Sequence, residues 1–254
     1  MIYLNKNYCK VCIVTIHKGD LKFLKKTIDS IDNQSLFPLK HIVIAKNINN
    51  FQIQAYKKDF RVFYLNNKYD RSIYEAMNFA KKNLGNYPIF FLNSGDVLLH
   101  RNSLNQISKF IYLLKLNYVL VFKTLLRIKT IYFNIKDRFF KNKDYLPHSS
   151  FISQNNFFNK KINFKYKFKI SADGYWMKDI IKRSRMTKKI PKNIVIQNLY
   201  GKSSLPSFNT IIWRWRENPV SGAKEFIKLV MSKLIPLNFY FIIIYLRKYR
   251  FFNK

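Results

Sequence analysis

Hydrophobic positions in this chain alternate between short unbroken runs and runs with helical spacing. Residues 11–16 (V-C-I-V-T-I) form an apolar, β-branched stretch, and Leu21, Leu24, Ile28 and Ile31 follow at intervals of three and four. The first pattern predicts a buried strand and the second an amphipathic helix, with Asp20, after Gly19, as its N-cap. Residues 41–45 and 61–65 repeat the strand signature. Ile73, Ala76, Met77 and Ala80 mark one face of another helix, whose start, Ser72 to Glu75, has the S-x-x-E spacing of a capping box. Residues 88–92 predict a fourth strand that runs into a polar turn, N-S-G-D at 93–96, and Leu104, Ile107, Ile111 and Leu114 predict the helix behind it. Residues 118–122 and 130–134 read as an added hairpin, residues 171–176 open a helix with Trp176 and Ile180 on one side, and residues 193–197 are a late strand.

This alternation is βαβ-like. It predicts an α/β fold, a mainly parallel sheet flanked by helices, with ligands outside the carboxyl ends of the strands. Thr15, His17 and Asp96 then fall near one crevice. Residues 226–246 predict one or two further helices with a break at Pro236. The chain therefore divides into an α/β domain, residues 1–205, and a C-terminal amphipathic helical extension, residues 206–254. No internal repeat is present.

Composition narrows the partners. The 254 residues are 48% hydrophobic and 24% charged, enough for a sizeable core and too apolar for a disordered chain. Forty-seven Lys and Arg against thirteen Asp and Glu leave +34, which points to polyanionic surroundings: nucleic acid, anionic lipid or a phosphorylated substrate. Cys9 and Cys12 lie three apart on a strand and face opposite sides, so they frame no disulfide scaffold. With no second Cys pair, and with His17, His41, His100 and His148 far apart, zinc is not expected either. Residues 1–10 are polar and lead straight into the first strand, the pattern of a chain that is not exported. No run reaches the length of a spanning helix; residues 229–246 come nearest and are interrupted by Lys233, Pro236 and Asn238.

Thirteen acids can be sorted individually. Asp20 reads as a cap, Asp29 and Asp32 as a polar helix face, Glu75 as the capping box, and Glu217 and Glu225 as counter-charges in a basic tail. Asp70, Asp96 and Asp173 remain, each at an element boundary. Asp96 ends a turn directly after a buried strand, where a carboxylate can hold Mg2+ or Mn2+ against a diphosphate, since such ions prefer oxygen ligands and share phosphate oxygens and water. Taken alone, the same turn is also an ordinary Ser-Gly-Asp reversal.

At this point the residues resemble the family 2 glycosyltransferases of the GT-A fold, bacterial enzymes that build surface polysaccharides. The first strand and helix, from Val14 to Ile31 and followed by Asn33 and Gln34, look like the family opening. D-R-S-I-Y-E-A-M-N at 70–78 is similar to the family's D-x-G-I-Y-D-A-M-N, and F-L-N-S-G-D at 91–96 to its strand-terminal variant of the D-x-D region. L-P-H-S-S-F-I at 146–152 resembles the acceptor-side P-H-Q-S-x-F-I, and I-S-A-D-G-Y at 170–175 the acidic motif that opens a helix. The match covers about residues 11 to 204, with its motifs in the family's order.

The resemblance implies an inverting transferase that moves a sugar from a nucleotide-diphosphate sugar to a saccharide or lipid-linked acceptor in capsule, O-antigen or similar synthesis. It implies Asp173 as general base and Asp96 as ligand of Mg2+ or Mn2+. Substrate-binding positions carried over are Asp70 and Asn78 on the donor side, Thr15 where the end of the first strand meets the nucleotide, His17 and Tyr74, and His148 facing the acceptor. Each has a structural rival: an N-cap role for Asp173, a core-facing strand position for Thr15, an ordinary helix polar residue for Asn78, a loop histidine for His148. Two departures bear on the donor. A-K-N-I-N at 45–49 stands where the family has an acidic D-G-G-S-T-D stretch that helps bind the nucleoside, and Ser72 replaces a glycine. The base is therefore open, and a catalytically inactive scaffold is one alternative.

After Pro206 the motif matches stop. Nine Lys and Arg against two acids lie in the last forty-nine residues, interleaved with Trp, Tyr and Phe. That mixture suits a lipid headgroup layer. An anionic membrane surface is thus the expected partner, placing the protein in the cytoplasm and peripherally on the inner face of the bacterial membrane. A basic nucleic-acid-binding α/β protein is the other alternative. Nucleic acid is not the expected partner, because no recognised binding motif is present and the charge is dispersed.

Overall fold

The computed structural model describes residues 8–45, 62–66, 72–128, 130–141, 146–155, 161–165, 172–199, 208–217, 219–236, 240, 243 and 249–251. In chain order they form β1 (Tyr8–His17), α1 (Leu21–Asp32), β2 (Phe37–Ala45), β3 (Val62–Asn66), α2 (Ile73–Asn83), β4 (Pro88–Phe91), β5 (Val97–Leu98), α3 (Ser103–Ser108) and α4 (Ile111–Lys115). There follow β6 (Tyr118–Ile128), β7 (Ile131–Ile135), α5 (Asp137–Phe140), a 3-10 turn (His148–Ser150), β8 (Phe151–Gln154), α6 (Ala172–Arg183), β9 (Met186–Asn198), α7 (Phe208–Glu217), α8 (Pro219–Leu234) and β10 (Tyr249–Phe251).

The first half of the sheet, β3-β2-β1-β4, is parallel, as the βαβ alternation predicts. Beyond β4 it is mixed. β8 runs antiparallel between β4 and β6, and β7 and β10 continue antiparallel at the far edge. β6 is paired in parallel with β9 along its length, while its other edge is shared by β8 and β7. The expected added hairpin is thus half right: β6 and β7 do form one, but β6 is an interior strand with nearly every residue buried, the pattern of a strand covered on both faces. The helix expected from Leu104 to Leu114 is two short ones. The chain unwinds at Phe110, whose ring packs edge-on against Phe122 at 6.2 Å.

Alternation along β1 divides the core. Cys12, Val14 and Ile16 face α2 and α6 through Tyr74, Met77, Ala80, Trp176 and Ile180. Cys9, Val11 and Ile13 face Ile31, Leu104, Ile107 and Leu114. The two free cysteines therefore lie in opposite cores, and burial pushes each thiol up to about 12, so neither is a thiolate at neutral pH.

The C-terminal helices pack closely on each other: a Cβ at Gly222 would lie 2.7 Å from the Trp215 Cα. Further along, Tyr240 is buried in the main core and β10 pairs with β7, so the extension is fastened to the sheet.

Candidate functional site

The turn after β4 is held from α1. Thr27 donates its hydroxyl to the Asp96 carbonyl at 2.8 Å and accepts from the Gly95 N–H at 2.9 Å. One turn on, Ser30 accepts from the Leu98 N–H, and Gln34 both donates to the His100 carbonyl and accepts from the Leu104 N–H. Thr27 and Ser30 share a face of α1 and Gln34 stands just past its end, so the C-terminal half of α1 and the residues after it grip residues 95–104. Gly95 sits at φ +98°, a conformation that favours glycine, which fixes the tight reversal that presents Asn93, Ser94 and Asp96.

Asp96 is buried. Its Oδ1 accepts from the Asn198 N–H at 3.1 Å, tying the turn to β9. Burial raises its pKa to about 7, opposed by that N–H and by the charge of Arg127. At the end of β1, His17 Nδ1 lies 2.8 Å from the Ser94 hydroxyl, and burial lowers the pKa of this imidazole. On the other side of the turn, His148 Nε2 lies 3.0 Å from the Asn93 amide nitrogen.

His148 begins a fixed segment. Ser149 donates to the Gln197 side chain, Thr124 donates to the Ser150 hydroxyl, and that hydroxyl donates to the Phe122 carbonyl, all under buried backbone. Burial lowers the His148 pKa and the charge of Asp173, at the start of α6, opposes the shift. The two candidate acids are thus linked through this segment: the charge of Asp173 acts on His148, His148 Nε2 meets the Asn93 side chain, and the Asn93 carbonyl accepts from the Asp96 N–H at 2.9 Å.

His17, Asp96, His148 and Asp173 therefore gather around residues 93–96. The other expected substrate residues do not. Thr15 is wholly buried and its hydroxyl bonds His41 Nε2 at 2.9 Å, because odd-numbered Thr15 follows Val11 and Ile13 onto a covered face of β1. Burial holds His41 down to about 3, hence neutral. Tyr74 and Asn78 face the segment 161–165 and the start of α6, and Asp70 lies outside the described residues. Asn93, Ser94, Lys81 and Arg127 had no assigned role in the sequence. Lys81 lies three and seven residues after Asn78 and Tyr74, on the same face of α2.

Among the described residues no three His, Cys, Asp or Glu side chains gather as a metal cage. Asp96 offers one carboxylate with one oxygen already engaged. That suits an ion that a diphosphate brings and completes with its own oxygens and water, and it does not suit an all-protein site.

No protein-family model matches the chain, and no curated protein sequence does. Solved structures do. S. aureus TarS 1–349 in complex with UDP-GlcNAc aligns at TM-score 0.66 and 12% identity over 91% of this chain and 69% of that one. The same protein in complex with UDP aligns at 0.63 and 14%, over 74% and 60%. The mannosyltransferase PcManGT from Pyrobaculum calidifontis, in complex with GDP-Man and Mn2+, aligns at 0.55 and 11%, over 86% and 64%. The chain spans 60% of the TarS–UDP structure. It has the GT-A glycosyltransferase fold, an α/β sheet flanked by helices.

Proposed function

We propose that this GT-A chain is an inverting glycosyltransferase. It takes a sugar from a nucleotide-diphosphate donor and places it on a saccharide or lipid-linked acceptor in bacterial surface-polysaccharide synthesis. The observation that carries this reading is the linkage of Asp173, His148 and the Asn93–Asp96 turn at the carboxyl ends of β1 and β4. Solved structures of the same fold hold UDP-GlcNAc and GDP-Man.

In this mechanism the Asp173 carboxylate takes the proton of the acceptor hydroxyl as its oxygen attacks the anomeric carbon. The new C–O bond forms as the bond to the diphosphate oxygen breaks, and the electron pair leaves with the diphosphate. A single displacement inverts the anomeric centre. Neutral His148 beside Asp173 orients the acceptor hydroxyl, and Asn93 orients His148. Asp96 is the residue that would hold Mg2+ or Mn2+, which supplies neutralisation of the departing diphosphate.

The surface of α7 and α8 supports a peripheral position on the inner face of the membrane. Phe208, Ile212 and Trp215 on α7 and Val220, Ile227, Val230 and Leu234 on α8 are exposed at helical spacing, with Arg216, Lys224 and Lys233 exposed among them. Among the described residues no helix is long and apolar enough to cross a membrane. The amphipathic pair instead suits the headgroup layer, where a membrane-borne acceptor would be close at hand.

The test is a panel of UDP- and GDP-sugars with Mg2+ or Mn2+, scored by release of nucleoside diphosphate. Release with at least one donor is expected. No release across the panel, together with salt-sensitive retention on DNA or RNA, would replace the reading with nucleic-acid binding; no release and no such retention would leave an inactive scaffold.

A further inference from the structure

One face of α2 carries three polar side chains, Tyr74, Asn78 and Lys81, and all three close on a single stretch of chain. Asn78 makes a two-way contact with the backbone of one residue: its Nδ2 donates to the Phe164 carbonyl at 3.0 Å and its Oδ1 accepts from the Phe164 N–H at 2.8 Å. Lys81 is buried, and its Nζ donates to the Ile162 carbonyl. The same ammonium lies 5.7 Å from the Phe164 ring centroid and 5.5 Å from that of Trp176, within cation–π range. Tyr74 stacks on Phe164 at 5.9 Å between centroids.

The phenol of Tyr74 reaches further. Burial raises its pKa, and the charge of Asp173 raises it too, while the backbone N–H groups of Asp173 and Ala172 oppose the rise. Its oxygen therefore lies against the first turn of α6, where helix N–H groups lack partners within the helix. Phe164 in turn stacks on Trp176 of α6 at 4.6 Å. Residues 162, 164, 172, 173 and 176 are thus all reached from one stripe of α2, and the last three belong to the turn that presents Asp173.

We infer that Tyr74, Asn78 and Lys81 form a clamp that sets the position of Asp173 relative to the acceptor, and that Tyr74 and Asn78 are positioning residues rather than donor contacts. This rests on the reading of Asp173 as the base. It departs from the substrate-binding role that the motif resemblance implies for Tyr74 and Asn78, on the donor side for Asn78. A side chain with both hydrogen-bonding groups engaged by the backbone of one residue, as Asn78 has, does not have those bonds free for a nucleotide. A base is also sensitive to small displacements, because misplacement by about 1 Å can cost about 100-fold in rate.

Two variants separate the roles. Asn78→Ala removes both bonds to Phe164, and Tyr74→Phe keeps the ring stack while deleting the hydroxyl at the start of α6. Each is read by hydrogen exchange at the Phe164 and Asp173 amides, by calorimetric titration with UDP and with GDP, and by turnover at saturating donor. The clamp predicts faster exchange at Phe164 in Asn78→Ala and at Asp173 in Tyr74→Phe, nucleotide affinity within about twofold of the parent, and kcat reduced by about tenfold or more. Unchanged exchange at both amides overturns it. So does a tenfold loss of nucleotide affinity with kcat preserved, which is the signature of donor contacts. Exchange is measured without substrate, so a parent protein that turns over no sugar nucleotide removes the proposed function while the clamp still stands or falls on the amides.

Discussion

The Nε2 atom of His148 lies 3.0 Å from the side-chain amide nitrogen of Asn93, and with the amide in this orientation the contact sets the tautomer of the ring. An amide nitrogen donates and does not accept, so Nε2 accepts and the neutral imidazole carries its hydrogen on Nδ1. Burial keeps the ring neutral by lowering its pKa, against the opposing charge of Asp173.

Replacing that donor with an acceptor should reverse the arrangement. In Asn93→Asp a carboxylate faces Nε2 and favours the charged ring, so the His148 pKa rises. Proton NMR of the ring across pH 5 to 8 checks this: the parent ring stays neutral down to lower pH than an ordinary histidine, and the Asn93→Asp ring titrates above it. Turnover in the variant should fall, because the imidazole then competes for the negative charge of Asp173.

Lys81 gives the chain a pH-dependent stability. Burial lowers its pKa from 10.5 to about 7. Between those values the unfolded chain binds a proton that the native chain has released, so stability rises with pH across that window and its contribution is lowest below about 7. The slope from one such group is at most about 1.4 kcal/mol per pH unit. Lys81→Met, which keeps the apolar stem, should remove that slope and gain most on the parent at about pH 6. Urea unfolding across the window decides it; parallel curves for the two proteins would contradict the assignment.

Much of the fold is legible in the chain, and particular residues show why. α1 is readable because Leu24, Ile28 and Ile31 are its buried positions and Asp20 caps it, accepting from the Lys22 N–H at 2.8 Å. α2 begins where its cap spacing places it, with the Ser72 hydroxyl accepting from the Glu75 N–H. β6 is not readable as an interior strand, because an apolar run buried on both faces has no alternation to show which neighbours cover it. β5 and β8, two and four residues long, are too short to carry a period.

The site is legible only where a motif ends an element. Asp96 and His148 stand in such motifs, and the fold brings both to the same turn. Thr15 misleads because a strand residue near a carboxyl end still alternates between faces, and its hydroxyl meets His41. Lys81 is missed for the opposite reason: a helical lysine ordinarily marks a solvated face, and only the fold supplies Phe164 and Trp176 to cover it.

The hairpin of α7 and α8 depends on close backbone approach. Gly222→Val places side-chain atoms where Trp215 already stands, and overpacking of this kind costs about 1–3 kcal/mol. Loss of hydrogen-exchange protection confined to the two helices, with the sheet still protected, is the expected result. Protection unchanged in α7 and α8 would contradict it.

The proposed lipid binding rests on the exposed stripe of α7 and α8. Leu234 is 77% exposed and Ile227 57% exposed, so Asp at both positions should leave the melting temperature within about 2 °C of the parent while weakening co-sedimentation with phosphatidylglycerol vesicles. Basic residues held near such a surface contribute about 1 kcal/mol each, so binding by the parent should also fall with salt. Equal sedimentation of parent and variant would exclude this face as the contact.

The most direct measurement is turnover of Asp173→Asn with the best donor of the panel, alongside its affinity for the matching nucleoside diphosphate. A general base predicts a loss of about 100- to 10,000-fold in kcat with nucleotide affinity retained. Turnover at the parent rate would show that the proton leaves by another route, and the assignment of Asp173 would be wrong.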